Sequence, residues 1–90
     1  MAQPYAVVTA RIDAILAFDW LKHLPAVTTP TLIVCAADDI LTPPYQSKRL
    51  AKAIAGSRLE VLATGGHSCS RVVPDEFNAL VADFFATAAA

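Results

Sequence analysis

The sequence predicts an α/β architecture of two parallel strands alternating with three helices, in the order helix, strand, helix, strand, helix. Three observations carry this. The run "TLIVCA", residues 31–36, is continuously apolar, rich in β-branched side chains and preceded by a proline. It is too short for a helix and reads as a strand buried on both faces, as in a parallel sheet. The run "RLEVLA", residues 58–63, alternates and reads as a second strand. Between and around these runs, apolar residues recur at spacings of three and four, the helical period. A strand–helix–strand order implies a right-handed parallel crossover.

The first helix is expected over residues 7–24, where Ile12, Ile15, Leu16, Trp20 and Leu24 form a stripe with Arg11, Asp13, Asp19 and Lys22 between them. Pro25 and Pro30 bracket a connector. After the first strand, "ADDILTPP" is a loop rich in Asp and Pro. A helix over residues 45–55 follows, with Pro44 near its first turn, Leu50, Ala51 and Ile54 as its stripe, and Gly56 at the C-terminal cap. After the second strand, "TGGHSCSRVV" is a loop. The last helix is expected over residues 74–87. Asp75 and Glu76 suit its N-terminus, and Phe77, Leu80, Val81, Phe84 and Phe85 make its buried face. Trp20 and the Phe84–Phe85 pair are most simply core. Two strands make a thin sheet, and both are edges unless something pairs with them.

The 90 residues form one domain at most, residues 1–90. Hydrophobic residues make up 56% of the chain, above the ~45–50% of typical domains. Alanine, at 18 positions, explains part of the excess. The rest is more apolar surface than a small monomer readily hides, as expected of a piece of a larger core or of an oligomer. The net charge is −1 with no basic run, so nucleic acid is not an expected partner. Cys35 and Cys69 form no CxxC pair, and the N-terminus has no charged n-region before an apolar core. The expectation is a cytoplasmic protein with reduced thiols and no signal peptide. The longest uncharged apolar run, "TLIVCAA", is too short to span a bilayer, so no membrane association is expected.

The chemistry lies in the loops that leave the C-terminal ends of the two strands, where open α/β sheets bind ligands. The first carries Asp38 and Asp39, and the second carries His67 behind Gly65 and Gly66. Adjacent parallel strands bring these loops together. A carboxylate beside an imidazole selects its tautomer and stabilises its charged form during proton transfer. The two glycines permit a tight turn that places the ring over the strand ends. On spacing alone, a polar surface histidine and a helix-entry turn explain the same residues.

The phrases "PTLIVCAADDILTPP" and "LEVLATGGHSCSRVVPDEFNALVADFF" together resemble the C-terminal third of an α/β-hydrolase, over about residues 12–85. That family ends with a strand, a loop bearing an acid, a helix, a strand and a loop bearing a histidine. The wording looks most like the aminoacrylate hydrolases of pyrimidine degradation, and next like the 3-oxoadipate enol-lactone hydrolases. The "GGHSC…FNAL" and "AILAFD" phrases lean toward the former. The resemblance implies that Asp39, four before Pro43, is the triad acid and His67 the general base. Asp38 would be a neighbour that caps the turn. It also implies small polar substrates, no cofactor and no metal.

The same resemblance exposes a gap. The family's nucleophile sits in G-x-S-x-G, and none of Ser47, Ser57, Ser68 and Ser70 has that context. Cys69, two residues from His67, lacks an elbow and oxyanion donors. His23, His67 and Cys69 match no common zinc spacing. Two readings follow. One is the C-terminal part of a serine-type hydrolase that supplies acid and base, and is inactive alone. The other is a non-catalytic module that self-associates, as a homodimer, by sheet extension. An independent receiver-like or flavodoxin-like domain is the weaker third, because two strands are too few and no glycine-rich phosphate loop is present.

Overall fold

The computed structural model describes residues 4–18 and 21–88. The protein is α/β, with a two-stranded parallel sheet at its centre. Strand β1 is Leu32–Ala36 and strand β2 is Arg58–Leu62. Their register pairs Ile33 with Leu59 and Cys35 with Val61. Helix α1 covers Tyr5–Ala17, α2 covers Pro44–Ala53 between the strands, and α4 covers Pro74–Ala88 after them.

The sheet is held from two sides. Helix α2 contacts both strands, as does α4. Because side chains alternate along a strand, Val34 and Ala36 face α4, where Ala36, Leu62 and Cys69 form a buried cluster with Val34, Val73, Phe77 and Leu80 packed on it. Ile33 and Cys35, on the other face, are also buried. Arg58 ties the start of β2 to α4. Its guanidinium donates to Asp83 Oδ2 at 2.6 Å and to Glu60 Oε1 at 2.9 Å.

The helix expected over residues 7–24 is two pieces. The α-helix stops at Ala17, Phe18 is extended, and a 3-10 turn occupies Leu21–Ala26 with Pro25 inside it. The apolar period runs unbroken through Leu21 and Leu24, so the sequence pattern hides the break. Pro25, with no N–H to donate, sits inside the 3-10 turn and disfavours α geometry at Leu24; the break after Ala17 lies eight residues upstream of it. Asp19 and Trp20 lie outside the described residues. The apolar stripe is not buried either: Ile15 is 72% and Leu16 79% exposed, and α1 has no buried residue.

Two smaller differences share one cause, a sheet that is only partly covered. β1 was expected to be buried on both faces, yet Leu32 and Val34 are only half-buried. Phe85, expected in the buried face of α4, is 65% exposed, and its ring meets Phe84 edge-on at 6.0 Å. Between β1 and α4 lies an open groove of about 470 Å³ whose apolar lining includes Leu32, Val34, Phe77, Val81 and Phe84. Among the described residues, no helix is long and apolar enough to cross a membrane.

The segment after β2, expected as a loop, is partly helical. It holds a 3-10 turn at Gly66–Ser68 and a one-turn helix α3 at Cys69–Val72. Val73, with φ −126° and ψ 62°, separates α3 from α4. It precedes Pro74, and the proline ring keeps the residue before it out of the α region.

Candidate active site

The site forms where the chain leaves the two strands. Ala36 and Leu62 are register partners at the strand ends, and Ala37 N–H donates to Leu62 O at 2.7 Å. Both loops therefore start side by side. Asp39 follows three residues after Ala36 on one side, and His67 five after Leu62 on the other.

Asp39 is 7% exposed, the one buried charged residue among those described. A buried carboxylate needs its oxygens satisfied, and four donors converge on it. Oδ1 accepts the backbone N–H groups of Leu41 and Thr42, each at 2.9 Å. Oδ2 accepts the Thr42 hydroxyl at 3.0 Å and lies 3.1 Å from His67 Nδ1. The Thr42 N–H bond holds the Asp39 carboxyl below its ordinary value. Burial opposes this, and the His67, Thr42 hydroxyl and Leu41 bonds add to it. Asp39 is thus an acceptor only.

An ionised partner at Nδ1 decides the histidine's tautomer. With Asp39 deprotonated, Nδ1 must carry the hydrogen, which leaves the Nε2 lone pair of the neutral ring to take up a proton. Thr42 Oγ1 also lies 3.1 Å from Nδ1 and closes a triangle with Nδ1 and Oδ2. The His67 side chain is 53% exposed.

The loop bearing His67 depends on its glycines in different ways. Gly65 has φ +121°, and a Cβ there would stand 2.8 Å from Cys69 Cβ and 3.0 Å from Val73 Cγ2. Gly66 has φ +62° and open space where a Cβ would point. Gly65 is required by both backbone and packing, Gly66 by backbone alone.

The two aspartates divide the work differently from the expectation. Asp38 does not cap its own turn, since Asp39 does that through Oδ1. Asp38 Oδ1 instead accepts the Gly66 N–H across the loops at 2.8 Å. Thr42 was not singled out from the sequence. Its signal is the spacing Asp-x-x-Thr, which lets a side chain at i+3 return to the carboxylate that caps the turn. A cavity of about 210 Å³ opens at the pair, lined among others by Cys35, Asp39, Thr42, Ser47, His67 and Cys69. Both cysteines are buried free thiols. Trp20, read from the sequence as core, lies outside the described residues. Among the described residues, no group of three His, Cys, Asp or Glu is placed to hold a metal ion.

Fold and loops together define an α/β protein with a carboxylate–imidazole pair at the C-terminal ends of its strands. No protein-family model matches the chain. Its similarity is to bacterial proteins named "Putative carbamate hydrolase RutD". The chain is 41% identical to the one from Stutzerimonas stutzeri over 76 residues, 84% of this chain and 29% of that protein. It is 39% identical to the one from Cronobacter turicensis over 71 residues, 79% and 27% of the two chains. With the one from Caulobacter sp. strain K31 the identity is 37% over 84 residues, 93% and 31%. The chain spans less than a third of the length of these relatives.

Proposed function

We propose that this chain supplies the acid–base half of the catalytic triad of a serine-type α/β-hydrolase. The observation that carries the reading is the contact of His67 Nδ1 with the buried, ionised Asp39 Oδ2 at 3.1 Å. In this reading a serine hydroxyl attacks the substrate carbonyl and His67 Nε2 takes the hydroxyl proton. His67 then returns the proton to the leaving group. Asp39 stays ionised throughout and keeps the ring oriented. The nucleophile and the oxyanion donors come from outside these 90 residues, so the chain alone is inactive. The substrate is a small polar molecule of the carbamate, aminoacrylate or enol-lactone type, which the names of the relatives and the sequence resemblance support. The unbridged thiols of Cys35 and Cys69 suit a reducing cytoplasm.

A chimera tests this. The segment of the Stutzerimonas relative that matches this chain is replaced by the chain, and turnover of a carbamate substrate is followed. The chimera is expected to be active, and His67→Ala to lower kcat by roughly 10²–10⁴. Full activity of the His67→Ala chimera would sink the reading. Hydrolysis by the 90-residue chain alone, lost on His67→Ala, would show that the nucleophile is within it.

A second reading, self-association as a homodimer, is favoured by one observation. Among the described residues β1 has a neighbour on one side only, and the groove beside its open edge is apolar. Two copies joined antiparallel along β1 would continue the sheet and cover both grooves. Light scattering on the purified chain should then give twice the monomer mass, and Val34→Lys should restore the monomer. A monomer in the unmodified chain at micromolar concentration would rule the dimer out.

A further inference from the structure

We propose that Asp38 is a positioning residue: by accepting the Gly66 N–H, it pins the histidine loop to the acid loop and keeps the His67 ring seated on Asp39. The inference rests on the reading of Asp39 and His67 as an acid–base pair.

The need for such a pin follows from the local structure. The first N–H groups of any helical turn have no partner within the turn. Usually the residue just before the turn caps them with its side chain. Here that residue is Gly65, which has none, and the turn has no side-chain cap of its own. Gly65 cannot be exchanged for a capping residue, because a Cβ would strike Cys69 and Val73. The acceptor therefore comes from the other loop, as Asp38 Oδ1 at 2.8 Å.

The pin acts one residue before the imidazole. His67 is 53% exposed, so packing alone does not hold its ring. What sets the ring is the course of a backbone built on two left-handed glycines, Gly65 and Gly66. Such a backbone has wide freedom when unrestrained. Asp39 cannot restrain it alone, since its Oδ1 is committed to its own turn and its Oδ2 is the atom that the ring must find. Adjacent carboxylates thus do separate jobs: exposed Asp38 fixes the loop, and buried Asp39 fixes the ring.

The test uses long-range 1H–15N NMR of His67 in the 90-residue chain and in two variants. Asp38→Asn keeps an acceptor oxygen but removes the charge, and Asp38→Ala removes both. The unmodified chain and Asp38→Asn should show His67 as the Nδ1–H tautomer. Asp38→Ala, with strand amide shifts unchanged, should show the tautomer mixture that the chain gives when unfolded in urea. Exchange of the Gly66 amide proton should rise by about tenfold or more in Asp38→Ala, as for an amide that loses its protecting bond. The proposal is overturned if folded Asp38→Ala keeps the single Nδ1–H tautomer. It is also overturned if folded Asp38→Asn loses the tautomer, since charge rather than the bond would then be at work. Should Asp38→Ala fail to fold, the unmodified chain decides. A protected Gly66 N–H supports the pin, and one that exchanges like a fully exposed amide overturns it. Neither readout uses turnover, so failure of this proposal is told apart from failure of the hydrolase reading, which the chimera decides.

Discussion

His67 Nδ1 and Asp39 Oδ2 lie 3.1 Å apart across 28 positions of chain. The two ends of a parallel crossover bring them together, and the Thr42 hydroxyl contacts both. The acid is buried and its base is half in solvent, so the two respond differently to substitution and to pH.

Replacing Asp39 by Asn keeps the shape of the acid and reverses its chemistry. The amide can present an N–H toward Nδ1, which then favours hydrogen on Nε2, the atom that must accept a proton. In the chimeric hydrolase we expect kcat to fall by roughly 10³–10⁴ with little change in KM. An equal rise in KM alone would assign Asp39 to substrate binding instead.

Thr42→Val removes one donor from Asp39 Oδ2 while nearly keeping volume. The Thr42 hydroxyl helps to hold the Asp39 carboxyl low, so its loss should move that titration upward. Carboxyl 13C shifts followed against pH would show this. The backbone bond from Thr42 N–H, the larger influence, survives the substitution, so Asp39 should still titrate below an ordinary aspartate.

The lowered pKa of Asp39 links stability to pH. A carboxylate that is more acidic in the folded chain stabilises it fully above the unfolded value, 3.8 for an ordinary aspartate. That stability is lost as pH falls toward and through the folded value. Urea midpoints should therefore drop below about pH 4, and Asp39→Asn should flatten this acid limb. An unchanged limb in Asp39→Asn would mean that other carboxylates cause it.

Gly65 and Gly66 predict unequal costs. Gly65→Ala combines a strained dihedral with a clash against Cys69 and Val73 and should destabilise by about 3 kcal/mol or more. Gly66→Ala meets open space and should cost only about 1–2 kcal/mol, the left-handed penalty alone. Urea denaturation of both variants measures the difference. Equal losses would mean that the loop relaxes away from Cys69.

The sites of these predictions were unevenly visible in the chain. Residue type and strand order place Asp38, Asp39 and His67 in the two loops at the strand ends, but only the family resemblance singles out Asp39 and His67 as a pair. Thr42 escaped notice because a threonine in a loop has many uses, and only the folded turn shows its hydroxyl returning to Oδ2. The sequence suggests a turn cap for Asp38, and its actual donor, the Gly66 N–H, lies 28 residues away, beyond the reach of a local pattern. The first helix was drawn too long because Leu21 and Leu24 keep the helical period after the backbone has left it.

Short-range patterning by itself determined the two strands, their parallel order and the two loops that hold Asp38, Asp39 and His67. Runs of apolar residues bounded by proline and glycine admit few other conformations. Only the tertiary structure decided which oxygen meets which donor, that Gly65 is needed for space as well as for its dihedral, and that, among the described residues, nothing covers α1 or one side of β1. Those outcomes depend on how groups approach in space, whether across 28 residues as for His67 and Asp39 or within a turn as for Gly65 and Cys69, and a linear pattern carries no distances.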